Sequence, residues 1–239
     1  MATRMLALDT SSSVTAVALV EDSRVLVEDS TPSDERHAES LLPRIEHCLA
    51  EAGVALRDID VFAVGIGPGS FTGVRVGVAT AKGLALATGK PVRGVVSLAA
   101  LAASVLELSP PSEALVAPIL DAYKGEVFCA LYAIGPAHSS LLVPPMHAAP
   151  ELAAAQLAEA AAGREVHVLG SGYRRYAERM AGALPARVLA TEWDAPRARH
   201  IAHEARRLLS SEGPSDLARL APLYVRGSDA QLPKAPLRV

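Results

Sequence analysis

The chain has 239 residues, half of them hydrophobic, with a net charge of -3 and a pI of about 6.2. Such a chain can bury a substantial core in one large domain or two small ones. Its slight acidity excludes the broad basic surface with which a protein binds nucleic acid on its own. Cys48 and Cys129 lack the spacing of a metal site or redox pair, which predicts a reduced, cytoplasmic location. We expect no signal peptide and no membrane span, because apolar runs are too short.

The first half of the chain predicts alternating strands and helices. Short aliphatic runs predict three consecutive strands, and residues at helical spacing then predict an amphipathic helix that stops at Gly53. A strand, a small-residue helix, a strand and a helix with Ser97 as N-cap follow. The predicted order βββαβαβα covers Met5–Leu8, Val14–Val20, Val25–Val27, Leu41–Leu49, Ile59–Ile66, Thr72–Leu86, Val92–Val96 and Ser97–Leu106.

The same pattern returns after the helix-breaking pair Pro110–Pro111. A strand again ends in an aspartate, Asp121, and leads into two further strands. The predicted order βββαβαβ covers Leu115–Leu120, Val127–Ile134, Leu141–Val143, Glu151–Ala162, Val166–Leu169, Tyr173–Met180 and Val188–Leu189. The apolar face of Arg197–Leu209 predicts a terminal helix that closes the body.

Two units that each open with a strand ending in Asp and a hairpin resemble the duplicated fold of actin and the sugar kinases, called ASKHA. We therefore predict an α/β protein with two RNase H-like lobes of βββαβα type. The predicted first lobe, with a partner-binding helix, covers residues 1–106, and a linker covers 107–113. A shorter second lobe covers 114–195. A terminal helical segment packed on the body covers 196–223, and a mobile tail covers 224–239.

The turn Asp9–Ser13 occupies the position at which enzymes of this fold hold magnesium and nucleotide phosphates. Here it has an aspartate but no glycine, so a close approach of backbone to phosphate is harder. Hydroxyls of Thr10, Ser11 and Ser12 can still donate hydrogen bonds. A vestigial or purely structural turn is favoured over a working nucleotide site, since Ser and Asp often simply close turns.

A glycine-rich loop, Gly65–Gly73, joins a predicted strand to a helix. Such a loop can direct N–H groups toward an anion, which makes Gly67, Pro68 and Gly69 candidates for a weak phosphate site. It matches neither a Walker loop nor a dinucleotide fingerprint. A tight strand-to-helix connection explains it equally well.

Small residues recur at every fourth position of the following helix: Gly73, Gly77, Ala81 and Ala85. Interior glycines cost roughly 1 kcal/mol each relative to alanine. They make sense where another element must approach closely. That element can be a partner protein or an internal neighbour, and the pattern leaves both open.

Catalytic and metal-ligating groups are poorly represented. His200 and His203 lie three apart on the predicted terminal helix, but no third ligand is evident, so a solvated helix face is favoured and we predict no metal site. No Ser-His-Asp or Cys-His arrangement can be placed, so no catalytic residue is assigned. Arg174, Arg175 and Arg179 can make minor RNA contacts, although such a face is more often only solvated.

Four segments together resemble the TsaB (YeaZ) family: Leu6–Ser11, His37–Ile45, Gly65–Gly77 and Leu223–Arg226. The resemblance is close over the first hundred residues and weaker beyond them. It implies a partner of TsaD, a paralogue that carries a catalytic metal and transfers threonylcarbamoyl from threonylcarbamoyl-AMP to the adenosine 3′ of the anticodon in tRNAs that read ANN codons. TsaE, a small ATPase, docks on that pair.

The resemblance further implies an essential, non-catalytic scaffolding or activating subunit that forms a homodimer when alone. It implies no cofactor of its own, with ATP or ADP and metal on TsaD, TsaE or the subunit interface, and tRNA bound mainly through the complex. TsaD has two metal-binding histidines in the segment that corresponds to Ser97–Ala102, which here contains no ligand. Pairing with TsaD or with a second copy is implied for the helix after the glycine-rich loop, at Phe71, Gly73, Val76, Gly77, Thr80, Ala81 and Leu84. On this basis Gly77→Arg should leave the fold largely intact and prevent pairing.

Two rival functions remain open. A small-metabolite kinase of the ASKHA fold would place Asp9 near magnesium and Gly67–Gly69 near phosphate. Its second half, however, offers only one glycine in Asp121–Gly125 for a second phosphate loop. A metallopeptidase related to TsaD would need a bound metal, for which no ligand set is evident.

Overall fold

The computed structural model describes residues 2–32, 37–108, 113–135 and 138–225. The first lobe has the predicted element order, with two short 3-10 helices at Leu56–Asp58 and Ser104–Leu108. Its strands and helices are β1 (Arg4–Asp9), β2 (Val14–Glu21), β3 (Arg24–Pro32), α1 (His37–Ala52), β4 (Val61–Gly65), α2 (Phe71–Thr88), β5 (Val92–Val95) and α3 (Ser97–Ala103).

The second lobe repeats this order in a shorter form and is followed by the terminal helix. A 3-10 helix at Thr191–Trp193 precedes that helix. The elements are β6 (Ala114–Asp121), β7 (Val127–Ile134), β8 (Ser139–Ala148), α4 (Pro150–Ala161), β9 (Val166–Leu169), α5 (Ser171–Met180), β10 (Ala186–Val188) and α6 (Ala198–Glu212).

The two sheets have the same topology. Their strand orders are β3-β2-β1-β4-β5 and β8-β7-β6-β9-β10. In each lobe the first three strands are antiparallel, and the first strand is parallel to the fourth. This repetition and the surrounding helices confirm the predicted duplicated α/β fold. In the part of the chain that the structure describes, no helix is both long and apolar enough to cross a bilayer.

The molecule is layered, with helices outside and between the two sheets. Helices α1 and α2 cover the outer face of the first sheet, whose core includes Leu6, Leu8 and Phe62. Helices α4 and α5 cover the outer face of the second sheet. Between the sheets, α3 packs mainly on the second and α6 on the first, which brings Leu101 and Ile201 into the interior. The two lobes therefore share a continuous buried centre.

Some boundaries differ from the sequence prediction. Strand β8 extends well beyond the predicted Leu141–Val143 and includes Pro144 and Pro145. Proline is tolerated there because β8 is an edge strand that pairs only with β7. Helix α3 begins at Ser97 with Val96 as its N-cap residue, so Ser97 is not the cap.

The segment after α6, residues 213–225, is called the C-terminal strap below. Ser215 N donates to Val92 O at the edge of the first sheet, and Leu220 is buried in the core of that lobe. Leu223 N donates to Ile66 O, which brings the strap to the glycine-rich loop. Most of the predicted linker and tail, residues 109–112 and 226–239, lies outside the described residues, and the division into domains stays a prediction.

Candidate functional site

The turn after β1 surrounds a buried carboxylate. Asp9 is 0% exposed. Its Oδ1 accepts hydrogen bonds from Ser11 N at 2.8 Å and Ser11 Oγ at 2.7 Å. Its Oδ2 accepts one from Ser97 Oγ, the first residue of α3, at 2.6 Å. Both oxygens are thus satisfied by hydrogen bonds within the chain, as a buried polar group requires.

Two further hydroxyls of this turn, those of Thr10 and Ser12, make hydrogen bonds within the chain. Thr10 Oγ1 donates to Gly73 O in α2 at 2.7 Å, and Ser12 Oγ accepts from Val14 N at 3.1 Å. These groups were candidates for binding phosphate. Instead they fasten the turn to its surroundings, and this arrangement supports the structural interpretation of the turn.

The glycine-rich loop lies directly on the Asp9 turn. A Cβ on Gly65 would collide with Asp9 Oδ2, and one on Gly69 would collide with Ser11 O. Ser70 N donates to Ser11 O at 2.7 Å, and Gly67 N donates to Ser97 Oγ at 3.1 Å. The glycines therefore allow the loop to pack closely on the turn, which agrees with the alternative of a tight strand-to-helix connection. Gly67 and Gly69 lie against backbone atoms of the chain itself.

The equivalent turn of the second lobe is built differently. Asp121, at the end of β6, keeps 12% of its side-chain surface exposed. It accepts from Arg175 Nη1 at 3.0 Å, Tyr123 N at 2.9 Å and Tyr176 Oη at 3.3 Å. Its partners are a cation and a phenol on the surface rather than two buried serines.

The small-residue stripe of α2 faces inward. Gly73, Gly77 and Ala81 are buried, and a Cβ on Gly77 would collide with Thr10 Oγ1. The structure therefore favours the internal neighbour over the predicted partner interface for these three residues. It follows that Gly77→Arg would disrupt the packing of α2 on the sheet rather than test pairing.

The opposite side of α2 is exposed and largely apolar. Of the predicted interface residues, Phe71 is 49% exposed, and Val76, Thr80 and Leu84 are partly exposed. At 100° per residue the centre of the outer face is formed by Thr72, Ala79, Gly83 and Leu86, all exposed. Leu86 is 70% exposed. We call Thr72, Val76, Ala79, Gly83 and Leu86 the outer α2 face.

Of the two histidines of α6, His200 is buried rather than solvated as the sequence predicted, whereas the His203 side chain keeps 41% of its surface exposed. His200 is only 5% exposed, and its Nε2 lies 2.6 Å from Glu107 Oε1. The hydrogen bond from His200 is the main cause that lowers the pKa of Glu107. Burial lowers the pKa of His203. Among the described residues, no three His, Cys, Asp or Glu side chains converge as metal ligands.

The arginines of α5 are occupied by carboxylates. Arg174 Nε contacts both oxygens of Asp194 at 3.0 and 3.1 Å, and Arg175 pairs with Asp121. Arg179 forms a bidentate pair with Glu151 at 2.6 and 2.8 Å. Each charge is compensated within the chain, so this helix offers RNA less than its sequence suggests.

The two cysteines are buried and chemically quiet. Burial is the largest cause that raises the pKa of Cys48 to about 11 and that of Cys129 to about 12. The thiolate, which is the nucleophile and metal ligand, is therefore scarce at neutral pH. Neither side chain suits nucleophilic or redox chemistry.

One surface cluster was missed by the sequence analysis. The Phe71 and Tyr224 rings lie 5.3 Å apart, and the Arg75 guanidinium carbon lies 3.7 Å from the centroid of the Phe71 ring. Arg75 Nε donates to Tyr224 Oη at 2.7 Å. Both residues lie in segments that carry the family resemblance. The sequence did not show that they are neighbours, because 149 positions separate Arg75 from Tyr224.

Comparison with known proteins places the chain in a family. Residues 31–237 match the model of the family described as TsaD: tRNA N6-adenosine threonylcarbamoyltransferase. A crystal structure from Pseudomonas aeruginosa, described as an uncharacterized protein with similarity to peptidase YEAZ, is 32% identical with a TM-score of 0.81, over 94% of this chain and 100% of that one. The chain belongs to the TsaD family, in its TsaB (YeaZ) group.

Curated TsaB proteins match in sequence over a shorter length. The tRNA threonylcarbamoyladenosine biosynthesis protein TsaB of Escherichia coli is 39% identical over 129 residues, and that of Bacillus subtilis is 36% identical over 128 residues. The chain spans about half the length of these curated relatives, 54% in each case, and 54% of the chain is matched. The resemblance to TsaB (YeaZ) predicted from the four segments is confirmed.

More distant structures share the fold alone. The ROK hexokinase of Thermus thermophilus has a TM-score of 0.52 at 17% identity, over 87% of this chain and all of that one. Sequence identity this low carries no information on activity. It does agree with the duplicated ASKHA architecture.

Proposed function

We propose that this chain is the essential, non-catalytic scaffolding or activating subunit of a complex with TsaD and TsaE that places threonylcarbamoyl on tRNA. In this proposal the group moves from threonylcarbamoyl-AMP to the adenosine 3′ of the anticodon in tRNAs reading ANN codons. The observation that carries the proposal is the sequence likeness to TsaB proteins named for tRNA threonylcarbamoyladenosine biosynthesis. The structural likeness to a protein described as similar to YEAZ agrees with it.

The closed Asp9 turn supports the non-catalytic part. An enzyme of this fold needs that carboxylate near its metal and phosphates. Here both oxygens accept hydrogen bonds from serines, and the glycine-rich loop lies on them. A kinase would have to open this packing, which disfavours the kinase alternative. The metallopeptidase alternative lacks a converging ligand set in the described part of the chain.

The outer α2 face supports the scaffolding part. Its residues leave an apolar helix surface in water, and apolar patches of this kind mark protein interfaces. A Cβ on Gly83 would meet no atom within 4 Å, so this glycine serves no packing inside the chain. We propose that TsaD, or a second copy of this chain when it is alone, covers this face. ATP or ADP and metal would then belong to TsaD, TsaE or the interface.

The decisive experiment measures threonylcarbamoyl transfer to unmodified tRNA in the presence of threonine, bicarbonate, ATP and the other pathway proteins, with and without this chain. Transfer that requires the chain, together with no transfer by the chain alone, supports the proposal. Undiminished transfer in its absence would sink it. ATP turnover by the pure chain that is absent from an Asp9→Ala variant still folded at the assay temperature would favour a kinase instead.

Ala79→Arg tests the interface directly, because Ala79 is exposed at the centre of the outer α2 face. The added charge must be desolvated on pairing, so co-elution with TsaD should fall at least tenfold while the melting temperature changes little. Ala155→Arg is the matched control, since Ala155 is an exposed alanine within α4 of the other lobe. Equal pairing by both variants would contradict the assignment.

A further inference from the structure

The cluster of Phe71, Arg75 and Tyr224 is unusual for this chain. It has three Phe, five Tyr and one Trp, and all nine lie in the described residues. Of these rings, three belong to largely exposed residues: Phe71 at 49%, Tyr123 at 57% and Tyr224 at 49%. Two of the three meet at this one place. Their proximity is therefore a specific feature of the surface rather than a general property of its composition.

The guanidinium of Arg75 is held in place while part of its hydrogen-bonding capacity stays available. Its carbon lies 3.7 Å from the centroid of the Phe71 ring, and Nε donates to Tyr224 Oη. The described residues provide neither a hydrogen bond for Nη1 and Nη2 nor a carboxylate for the charge. An arginine fixed in this way presents two N–H groups that can bind a phosphate bidentately. Because the side chain is already ordered, it loses little conformational entropy on binding. The arginines of α5, in contrast, are paired with acids.

The position of Tyr224 depends on the C-terminal strap. Leu223 N bonds to Ile66 O, and His147 Nδ1 lies 2.8 Å from Val225 O. On the same edge of α2, Lys82 Nζ donates to Leu220 O at 3.0 Å. The rings are thus held by main-chain contacts on both sides of Tyr224, so the platform exists before any ligand binds.

We infer that Phe71, Arg75 and Tyr224 bind one nucleotide unit of single-stranded RNA, with a base stacked on the exposed rings and its phosphate on Arg75. Aromatic rings and guanidinium planes are the surfaces on which unstacked RNA bases are bound. A platform for one unit agrees with a net charge of -3, because it needs no basic field around it. The inference rests on the proposed function, in which tRNA is the substrate of the complex.

The site lies beside the outer α2 face without sharing its centre. At 100° per residue, Phe71 and Arg75 lie on the strap side of α2, and Val76 and Thr80 lie on the opposite side of the exposed surface. A protein on the outer face would leave RNA at the edge of the assembly, next to Tyr224. Pairing and RNA binding can therefore be measured separately.

The test measures binding of an unmodified tRNA to the assembled complex of this chain with TsaD, together with co-elution of the two proteins. Arg75→Lys keeps the positive charge but removes the bidentate donor geometry of the guanidinium. Tyr224→Leu keeps an apolar side chain but removes the aromatic ring. Stacking on an aromatic ring is worth about 1–3 kcal/mol per base, so Tyr224→Leu should weaken binding roughly 5- to 150-fold. Arg75→Lys should weaken it by a similar order with co-elution unchanged. Arg187→Lys and Tyr123→Leu, at exposed residues of the second lobe, should bind as the wild type does.

Three outcomes would overturn the inference: tRNA affinity unchanged in both variants, co-elution with TsaD lost together with RNA binding, or the controls weakening binding equally. The second outcome would make the cluster a protein anchor. If the wild-type chain proves dispensable for transfer, the chain alone is photo-crosslinked to a 4-thiouridine-containing single-stranded RNA. Crosslinks to Phe71 or Tyr224 that Arg75→Lys reduces would support the inference independently of the proposed function, and their absence would reject it.

Discussion

Asp9 and Asp121 end the first strands of their lobes, at equivalent positions of two sheets with the same strand order. Asp9 is fully buried and is held by Ser11 and Ser97. Asp121 lies at the surface and is held by Arg175, whose side chain is 60% exposed. The same step in the fold therefore carries a carboxylate in two opposite environments.

This difference shows that two lobes with the same strand order can use the turn after their first strand for different contacts. In the first lobe the turn joins β1, the glycine-rich loop and α3 through neutral donors, so the carboxylate is a structural centre. In the second lobe the turn is a surface ion pair between β6 and α5. Neither arrangement leaves the aspartate oxygens open in the way that a nucleotide-dependent enzyme requires.

The largest effect is expected from Asp9→Ala. It leaves the N–H of Ser11 and the hydroxyls of Ser11 and Ser97 without their buried acceptor, and an unsatisfied buried group costs about 1–3 kcal/mol. Some donors will find other acceptors, so we expect a loss of about 3–5 kcal/mol, which lowers the melting temperature by on the order of 10 °C. Thermal or urea unfolding measures it. A loss below about 1 kcal/mol would mean that the turn is not a structural centre.

A smaller effect is expected from Ser97→Ala, which removes one hydrogen-bond donor to Asp9. It also removes the acceptor of Gly67 N. Hydrogen bonds to charged groups are worth roughly 1.5–3 kcal/mol, so a loss of about 2 kcal/mol is expected in urea unfolding. Ser104→Ala is the control, because the hydroxyl of this buried serine, which directly follows α3, donates to Leu101 O in α3 and has no contact with Asp9 among the described residues.

A double-mutant cycle of Ser97→Ala with Asp9→Ala tests whether the two side chains stabilise the protein through their mutual hydrogen bond. If Ser97 stabilises the protein through Asp9, its replacement should cost little once Asp9 is already alanine, and the coupling should approach 1–2 kcal/mol. Additive losses would instead assign the role of Ser97 to the loop contact with Gly67.

The sequence predicted the fold of both lobes well, because strand and helix periodicities are local and repeat in the same order. It also identified Asp9 and the glycine-rich loop as neighbours of one site. It could not identify the partners of Asp9, since Ser97 is 88 positions away and was interpreted as a helix cap. Nor could it place Arg75 against Tyr224, because the path of the strap depends on tertiary contacts.

The small-residue stripe of α2 shows a general limit of sequence patterns. A repeat of Gly73, Gly77 and Ala81 shows that one side of a helix is narrow, but it does not show what approaches that side. The hydroxyl of Thr10, 63 positions before Gly73, fills the space here. The interface that we propose on α2 is therefore based on exposure, and it lies on the opposite side of the helix.

The smallest effect is expected from Asp121→Ala, the counterpart of Asp9→Ala. Asp121 and Arg175 are partly exposed, and exposed ion pairs contribute about 0–1 kcal/mol. We therefore expect a loss near 1 kcal/mol at low salt, some of it from the bonds of Tyr123 N and Tyr176 Oη. At 1 M salt the Debye length falls to about 3 Å, so the difference between mutant and wild type should shrink. Urea unfolding at both salt concentrations measures this, and a salt-independent loss as large as that of Asp9→Ala would show that the two turns are equivalent after all.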